Sequence, residues 1–351
     1  MFTPKIAKIY SLNFQEMVTC EAFLKEHLET GRIKSLKFPQ ASPFFFIPKK
    51  DGTLCPCQDY HYLNSHTIWN AYPLPLIPEL IDNMKDSTIF TKFNIRWGYN
   101  NIHLWEEDQW KAAFITPMGL FEPTVMFLSF CNAPPTFQAF MNHIFVDMLT
   151  KKWLKIYMGD LGIQTKDDLP LHHERTQWVL QWLQEHGLTV KLSNMVFDAL
   201  KMEFLGMIIR QGKVEMDRKK LKAIRDWKPP TTVKAVRSFT GFANFYWKFI
   251  PNFSNVVTPL NLLTWKNEPW NWAALCLMNS NASSLLPLYT KFLMSPDHSL
   301  SWLTLPYLQL GQFSSKPISM KISIPVPIFH TPSLLHNKNM TYMTENSLQS
   351  F

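Results

Sequence analysis

Cysteine is scarce in this sequence, and long apolar runs are missing. The five cysteines, Cys20, Cys55, Cys57, Cys131 and Cys276, are an odd number without the paired CxxC spacing of a zinc site or the density of a disulfide framework. A reducing compartment is the simpler reading, so the chain is expected inside the cell, in cytoplasm or nucleus. No run reaches the roughly 18 apolar residues that would cross a bilayer, and no apolar stretch follows a basic N-terminal start. Secretion and membrane insertion are both unexpected. The N-x-[ST] triplets at Asn252, Asn281 and Asn339 then count as chance matches. Charge is also sparse at one end: from Ala274 onward there is no arginine, and the charged residues are Lys291, Asp297, Lys316, Lys321, Lys338 and Glu345.

What is present is an ample core and a basic surplus. Hydrophobic residues make up 46% of the 351 positions, and Lys plus Arg outnumber Asp plus Glu by 35 to 27. A net charge of +8 favours polyanionic partners, because phosphate attracts lysine and arginine at long range. Composition divides the chain near residue 273, into a body and a divergent tail over 273–351. The tail shows no sustained period and reads as disordered or non-native sequence.

Within the body, Ser42 to Pro48 reads as a buried strand, and the Asp51-Gly52 pair after it as a hairpin turn. Thr88 to Ile95 reads as a core strand. Phe140, Met141, Ile144, Phe145 and Met148 mark a helix over Ala139 to Leu149. Two apolar runs, Trp153 to Tyr157 and Leu161 to Thr165, flank Met158-Gly159-Asp160 as a second hairpin. A helix from Leu171 to His186 stops at Gly187, and Glu203 to Ile209 is expected as a further strand. Beyond Pro229-Pro230, Thr231 to Phe242 and Phe253 to Thr264 read as helices. The pair His172-His173 would point about 100° apart on a helix and is expected to mark a helix start, not a metal site. Most of the tryptophans are expected to pack.

Eight strings occur in order: SPFFFIPKKDGTL (42–54), CQDYHYLN (57–64), YPLPLI (72–77), FTKFNIRWGY (90–99), NAPPTFQ (132–138), IYMGD (156–160), EFLG (203–206) and VRSFTGFANFYWKFIPNFS (236–254). Together they resemble the reverse transcriptase of gypsy-type LTR retrotransposons. The resemblance implies an α+β right-hand polymerase with fingers, a split β-α-β palm on an antiparallel sheet and a partial helical thumb. It implies a lead-in over 1–40, fingers and palm over 41–210 and a thumb-like helical segment over 211–272. It also implies nucleic-acid partners (an RNA template and a DNA primer), a deoxynucleotide triphosphate, and two magnesium ions held by clustered aspartates.

The family's three catalytic aspartates fall on Asn94, Gly159 and Asp160, so only Asp160 remains a carboxylate able to hold metal. Asn94 retains one neutral oxygen, a weak magnesium ligand. The carboxylates Glu106, Glu107, Asp108, Asp167 and Asp168 are expected to face solvent away from the palm. Nucleotide-binding positions fall on Lys49 and Lys50, on Cys55 where the family has arginine, on Tyr99, and on Ser129, expected in a strand. Gln138 matches a template- and primer-facing position, although an exposed helical glutamine reads the same way. Lys151 and Lys152 join the template and primer positions. No acidic cluster follows residue 272, so no RNase H is expected, and the chain reads as a piece of a polyprotein. The expected function is a decayed reverse transcriptase. The alternatives are a non-catalytic nucleic-acid-binding protein, with Lys155, Arg218, Lys219, Lys220 and Lys222 adding charge, and a slow residual polymerase.

Overall fold

A capping box starts the first helix: the Asn13 side chain accepts from the Glu16 N–H and the Glu16 carboxylate from the Asn13 N–H, both at 2.9 Å. This helix, α1 (Phe14–Glu29), buries Cys20, Leu24 and His27. The computed structural model describes residues 3–37, 40–49, 52–217, 220, 230–249, 253–265 and 299–300.

After α1 come β1 (Ile33–Ser35), β2 (Ser42–Pro48), β3 (Leu54–Gln58), the short helices α2 (His61–Ser65) and α3 (Ile77–Asp82), and β4 (Ile89–Asn94). Next are α4 (Glu106–Gln109), β5 (Phe114–Thr116), β6 (Gly119–Pro123), α5 (Ala133–Ile144), α6 (Val146–Thr150), β7 (Leu154–Tyr157), β8 (Asp160–Thr165) and α7 (Leu169–Glu185). The strands β9 (Val196–Ala199), β10 (Lys201–Phe204), β11 (Met207–Arg210) and β12 (Lys213–Met216) precede helices Val233–Phe245 and Phe253–Leu262.

The strands form three sheets. The first runs β1-β6-β5-β2-β3 and packs Phe44, Phe46, Phe114, Phe121 and Phe127 around Tyr60. Here β2 and β3 make the expected hairpin, with Gly52 at φ +80° in its turn. The second, wholly antiparallel, runs β7-β8-β4-β9. Its β8 is buried along almost its whole length, from Leu161 to Thr165, because both faces are covered. Phe137, Met141, Val179 and Leu183 of α5 and α7 join Leu161 and Ile163 in one core. On the other side Met84 and Phe204 press so closely that a Cβ on Gly162 would come within 3.0 and 3.2 Å of them. The third sheet, β10-β11-β12, pairs at its edge with Ser299–Leu300, the part of the 273–351 tail among the described residues.

Three expected elements are redrawn. The helix expected from Ala139 begins at Ala133, since Pro134 and Pro135 occupy its first turn, where a missing N–H matters little. It closes at Ile144, and α6 follows as a separate turn. The string Glu203 to Ile209 is a hairpin and not one strand: Leu205 (φ +50°) and Gly206 (φ +78°) form its two-residue turn, with Phe204 opposite Met207. The fourth strand of the palm sheet is instead β9, opposite β4. Ser129 lies in a turn, not a strand, and its carbonyl accepts from Asn64 Nδ2 at 2.9 Å. Lys50, Asp51, Arg218, Lys219, Lys222 and Trp227 lie outside the described residues, as does the tail apart from 299–300.

Candidate active site

The strand pairing itself assembles the site. In the β4–β8 ladder Asn94 stands directly opposite Asp160, and in the β7–β8 ladder Asp160 stands opposite Tyr157. Met158 and Gly159 form the two-residue turn between them. The left-handed residue of that turn is Met158 (φ +50°) and not Gly159, so Gly159 is not demanded by backbone strain. A Cβ at Gly159 would meet nothing closer than Ile95, at 3.8 Å. The turn is clamped instead through its amides: Ile95 N–H donates to Gly159 O at 2.8 Å, and Met158 N–H to Gln138 Oε1 at 2.6 Å.

Gln138 is fully buried. Its Nε2 donates to Asn142 Oδ1 at 2.8 Å and to Ile156 O at 3.4 Å, and Asn142 donates on to Tyr72 Oη at 2.7 Å. A residue expected to face template and primer, or solvent, is thus an internal strut of the Met158–Gly159 turn. No spacing in the sequence signals this, because a buried and an exposed glutamine look alike on a helix. Tyr99 is brought to the same turn: its hydroxyl donates to Met158 Sδ at 3.5 Å and its ring meets Phe137 edge-on at 5.6 Å. Burial, with Tyr157 nearby, raises the Tyr99 phenol. Gly98 beside it has no latitude, since a Cβ would lie 2.8 Å from the Phe137 ring.

At the centre, Asn94 Nδ2 donates to Asp160 Oδ1 at 2.6 Å. This contact decides the electrostatics. Where two facing carboxylates would repel and call for cations, an amide hydrogen satisfies the remaining one. Among the described residues, no three histidines, cysteines or carboxylates are grouped to hold a metal. The other acidic side chains lie elsewhere: Glu106, Glu107 and Asp108 form the exposed α4, and Asp168 caps α7 by accepting from Leu171 N–H at 2.8 Å.

The remaining sequence-predicted positions disperse. Lys49 and Cys55 stay on the β2–β3 hairpin, Lys49 exposed and Cys55 half-buried opposite Ile47. Burial, with Cys55 close by, pushes the Cys57 thiol up to about 11. Lys151 and Lys152 sit before β7, at the end of the palm hairpin away from Asp160. Lys155 is buried within β7, its ammonium depressed by burial and then by Lys152. Of the tryptophans, Trp153 is buried whereas Trp97, Trp105, Trp178 and Trp247 are exposed, so packing does not absorb most of them. Both the Arg96 and Arg32 guanidiniums stack on Trp97, at 4.0 and 4.5 Å.

Residues 47–209 match the reverse transcriptase (RNA-dependent DNA polymerase) family. They are a reverse transcriptase domain. The Tf2-3 and Tf2-7 transposon polyproteins of Schizosaccharomyces pombe are each 34% identical to the chain over 249 residues, 71% of its length. The chain spans 18% of the length of these curated relatives. Among solved structures, the domain's fold resembles foamy viral protease-reverse transcriptase. The form solved with double-stranded DNA gives a TM-score of 0.74 at 20% identity, covering 83% of this chain and 50% of that one. The form with an RNA/DNA hybrid gives 0.71 at 20% identity, covering 83% and 38%.

Reverse transcriptases use divalent metal, and the donor set of this domain does not fit a metal pair. One carboxylate is present, one of its oxygens is taken by an amide N–H, and the opposing side chain is neutral. A unit charge about 4 Å from a divalent ion is worth roughly 8 kcal/mol at an effective dielectric of 20.

Proposed function

We propose that this is a reverse transcriptase domain of gypsy-type LTR retrotransposon origin that binds template and primer but does not carry out efficient nucleotidyl transfer. The 2.6 Å bond from Asn94 to Asp160 carries the reading, because it closes with an uncharged donor the space where two magnesium ions would be held. Around it the frame persists. The turn is clamped by Gln138 and Ile95, and Tyr99 is in place against Met158. The incoming deoxynucleotide triphosphate keeps Lys49 but loses a bidentate clamp at Cys55, where sulfur cannot replace a guanidinium. Nucleic-acid binding is supported by the excess of basic residues and by the complexes in which the foamy viral proteins were solved.

The test is primer extension on an RNA template with magnesium or manganese, comparing the chain with an Asn94→Asp, Gly159→Asp double variant. The expected result is no extension by the parent and measurable extension by the double variant, whose new Cβ at Gly159 has room. Extension by the unaltered chain would overturn the reading.

A further inference from the structure

The palm hairpin has a second end. Thr165 lies five residues along β8 from Asp160, about 17 Å at 3.3 Å per residue. There a pocket of about 280 Å³ opens between the start of β7, the end of β8 and α7. Four cations line it: Lys151, Lys152, Lys166 and Arg175. Among the described residues none of them is in an ion pair within 4.0 Å.

These cations are held in place by the fold. Arg175 Nη1 donates to Gln164 O at 3.0 Å and to Thr165 Oγ1 at 3.1 Å, and its guanidinium lies 5.3 Å from the buried Trp153 ring. Lys152 is kept in the left-handed region at φ +63°, its carbonyl accepting from Gln164 Nε2 at 2.9 Å. Asp168 and Glu174 are the carboxylates that act on Arg175, and four cations line the pocket beside them.

Beside the pocket, α7 carries Leu171, Arg175 and Trp178 at i, i+4 and i+7, one helical face. Trp178 is 46% exposed and the Lys151 ammonium lies 5.7 Å from its ring. A clustered cation site next to an exposed indole is the pairing that single strands use, phosphate on the cations and base on the ring. We propose that this end of the palm is a second nucleic-acid site, taking single-stranded RNA or DNA independently of the Asp160 end.

The experiment measures fluorescence anisotropy of a labelled ten-nucleotide oligo(U) and, separately, a blunt DNA duplex, against the full chain at several salt concentrations. Lys151→Glu/Lys166→Glu should weaken oligo(U) binding by about ten-fold or more and flatten its log–log salt slope by about 1.4, two phosphate contacts' worth. A charge-matched control, Lys8→Glu/Lys25→Glu, should change it less than about two-fold. Trp178→Ala should weaken binding by about ten-fold without changing the slope. Duplex binding should be unaltered in all three. Equal oligo(U) affinity in the parent and the Lys151/Lys166 variant, equal losses in the charge-matched control, or no binding at low salt would each overturn the proposal. Absence of extension by the Asn94→Asp, Gly159→Asp variant bears only on the proposed function, since that variant leaves this pocket unchanged.

Discussion

The two ends of the β7–β8 hairpin have opposite electrostatics. At its tip there is little charge: Asn94 and Gly159 are uncharged, and the Asn94 amide donates to Asp160. At its far end cations gather on Lys151, Lys152, Lys166 and Arg175, none of them in an ion pair within 4.0 Å among the described residues. The backbone scarcely registers the difference, because the same ladder runs from Tyr157–Asp160 to Leu154–Ile163. A strand register is specified by burial and main-chain hydrogen bonds, so side-chain charge at a tip can change while the scaffold persists.

That comparison can be broken most forcefully at the tip. In the Asn94→Asp, Gly159→Asp variant, three facing carboxylates should make thermal stability metal-dependent, with the melting temperature rising on addition of magnesium. Saturation to about 100 times Kd would stabilise it by about 2.7 kcal/mol, whereas the parent should not respond. A magnesium-independent melting temperature in the variant would show that the tip's geometry, and not only its charge, has decayed. Next in size, Gln138→Ala should cost about 1–3 kcal/mol by leaving the half-buried Met158 N–H without its acceptor and a void where the buried glutamine stood. Denaturant unfolding would reveal this, and a cost near zero would mean that the turn is held without Gln138.

The far end has its own handle in His172, which is fully buried between Thr91 Oγ1 at 2.8 Å and Thr165 Oγ1 at 2.9 Å. Burial is the largest influence and lowers its pKa; Asp198 opposes the shift, and His173 and Arg175 reinforce it. Between the lowered folded value and the ordinary one near 6.5 the unfolded chain binds more protons, so stability should fall as pH drops below about 6.5. His27, lowered mainly by burial, contributes in the same sense. Melting curves at pH 7.5 and 5.5 should therefore show a loss at acid pH that is smaller in His172→Gln. The smallest effect concerns Lys152: with φ at +63°, Lys152→Gly should raise stability by up to about 1 kcal/mol through relieved strain. A loss instead would mean that its stem packing outweighs the backbone.

Much of this architecture is legible along the chain. Apolar alternation and turn residues disclose the β2–β3 and β7–β8 hairpins, and Gly187, at φ +66°, marks the end of the last palm helix. What escaped has a common physical origin. Leu205 adopts a conformation that leucine disfavours, so Gly206 is the single turn signal between β10 and β11, and the Phe245–Tyr246 corner packed on Gly206 supplies the rest of the constraint from elsewhere. The two prolines of α5 look like helix breakers until their place in the first turn is known.

By itself, the sequence determined the family and the residue types that meet at the hairpin tip, Asn94, Gly159 and Asp160, because covalent residue type decides which atoms can carry charge. Only the tertiary structure decided that Gln138 is a buried strut of the turn, that Asn94 turns its amide onto Asp160, and that Lys151 and Lys152 belong to the far end of the hairpin. Those are matters of direction and distance, and they are set when strands pair and helices cover them.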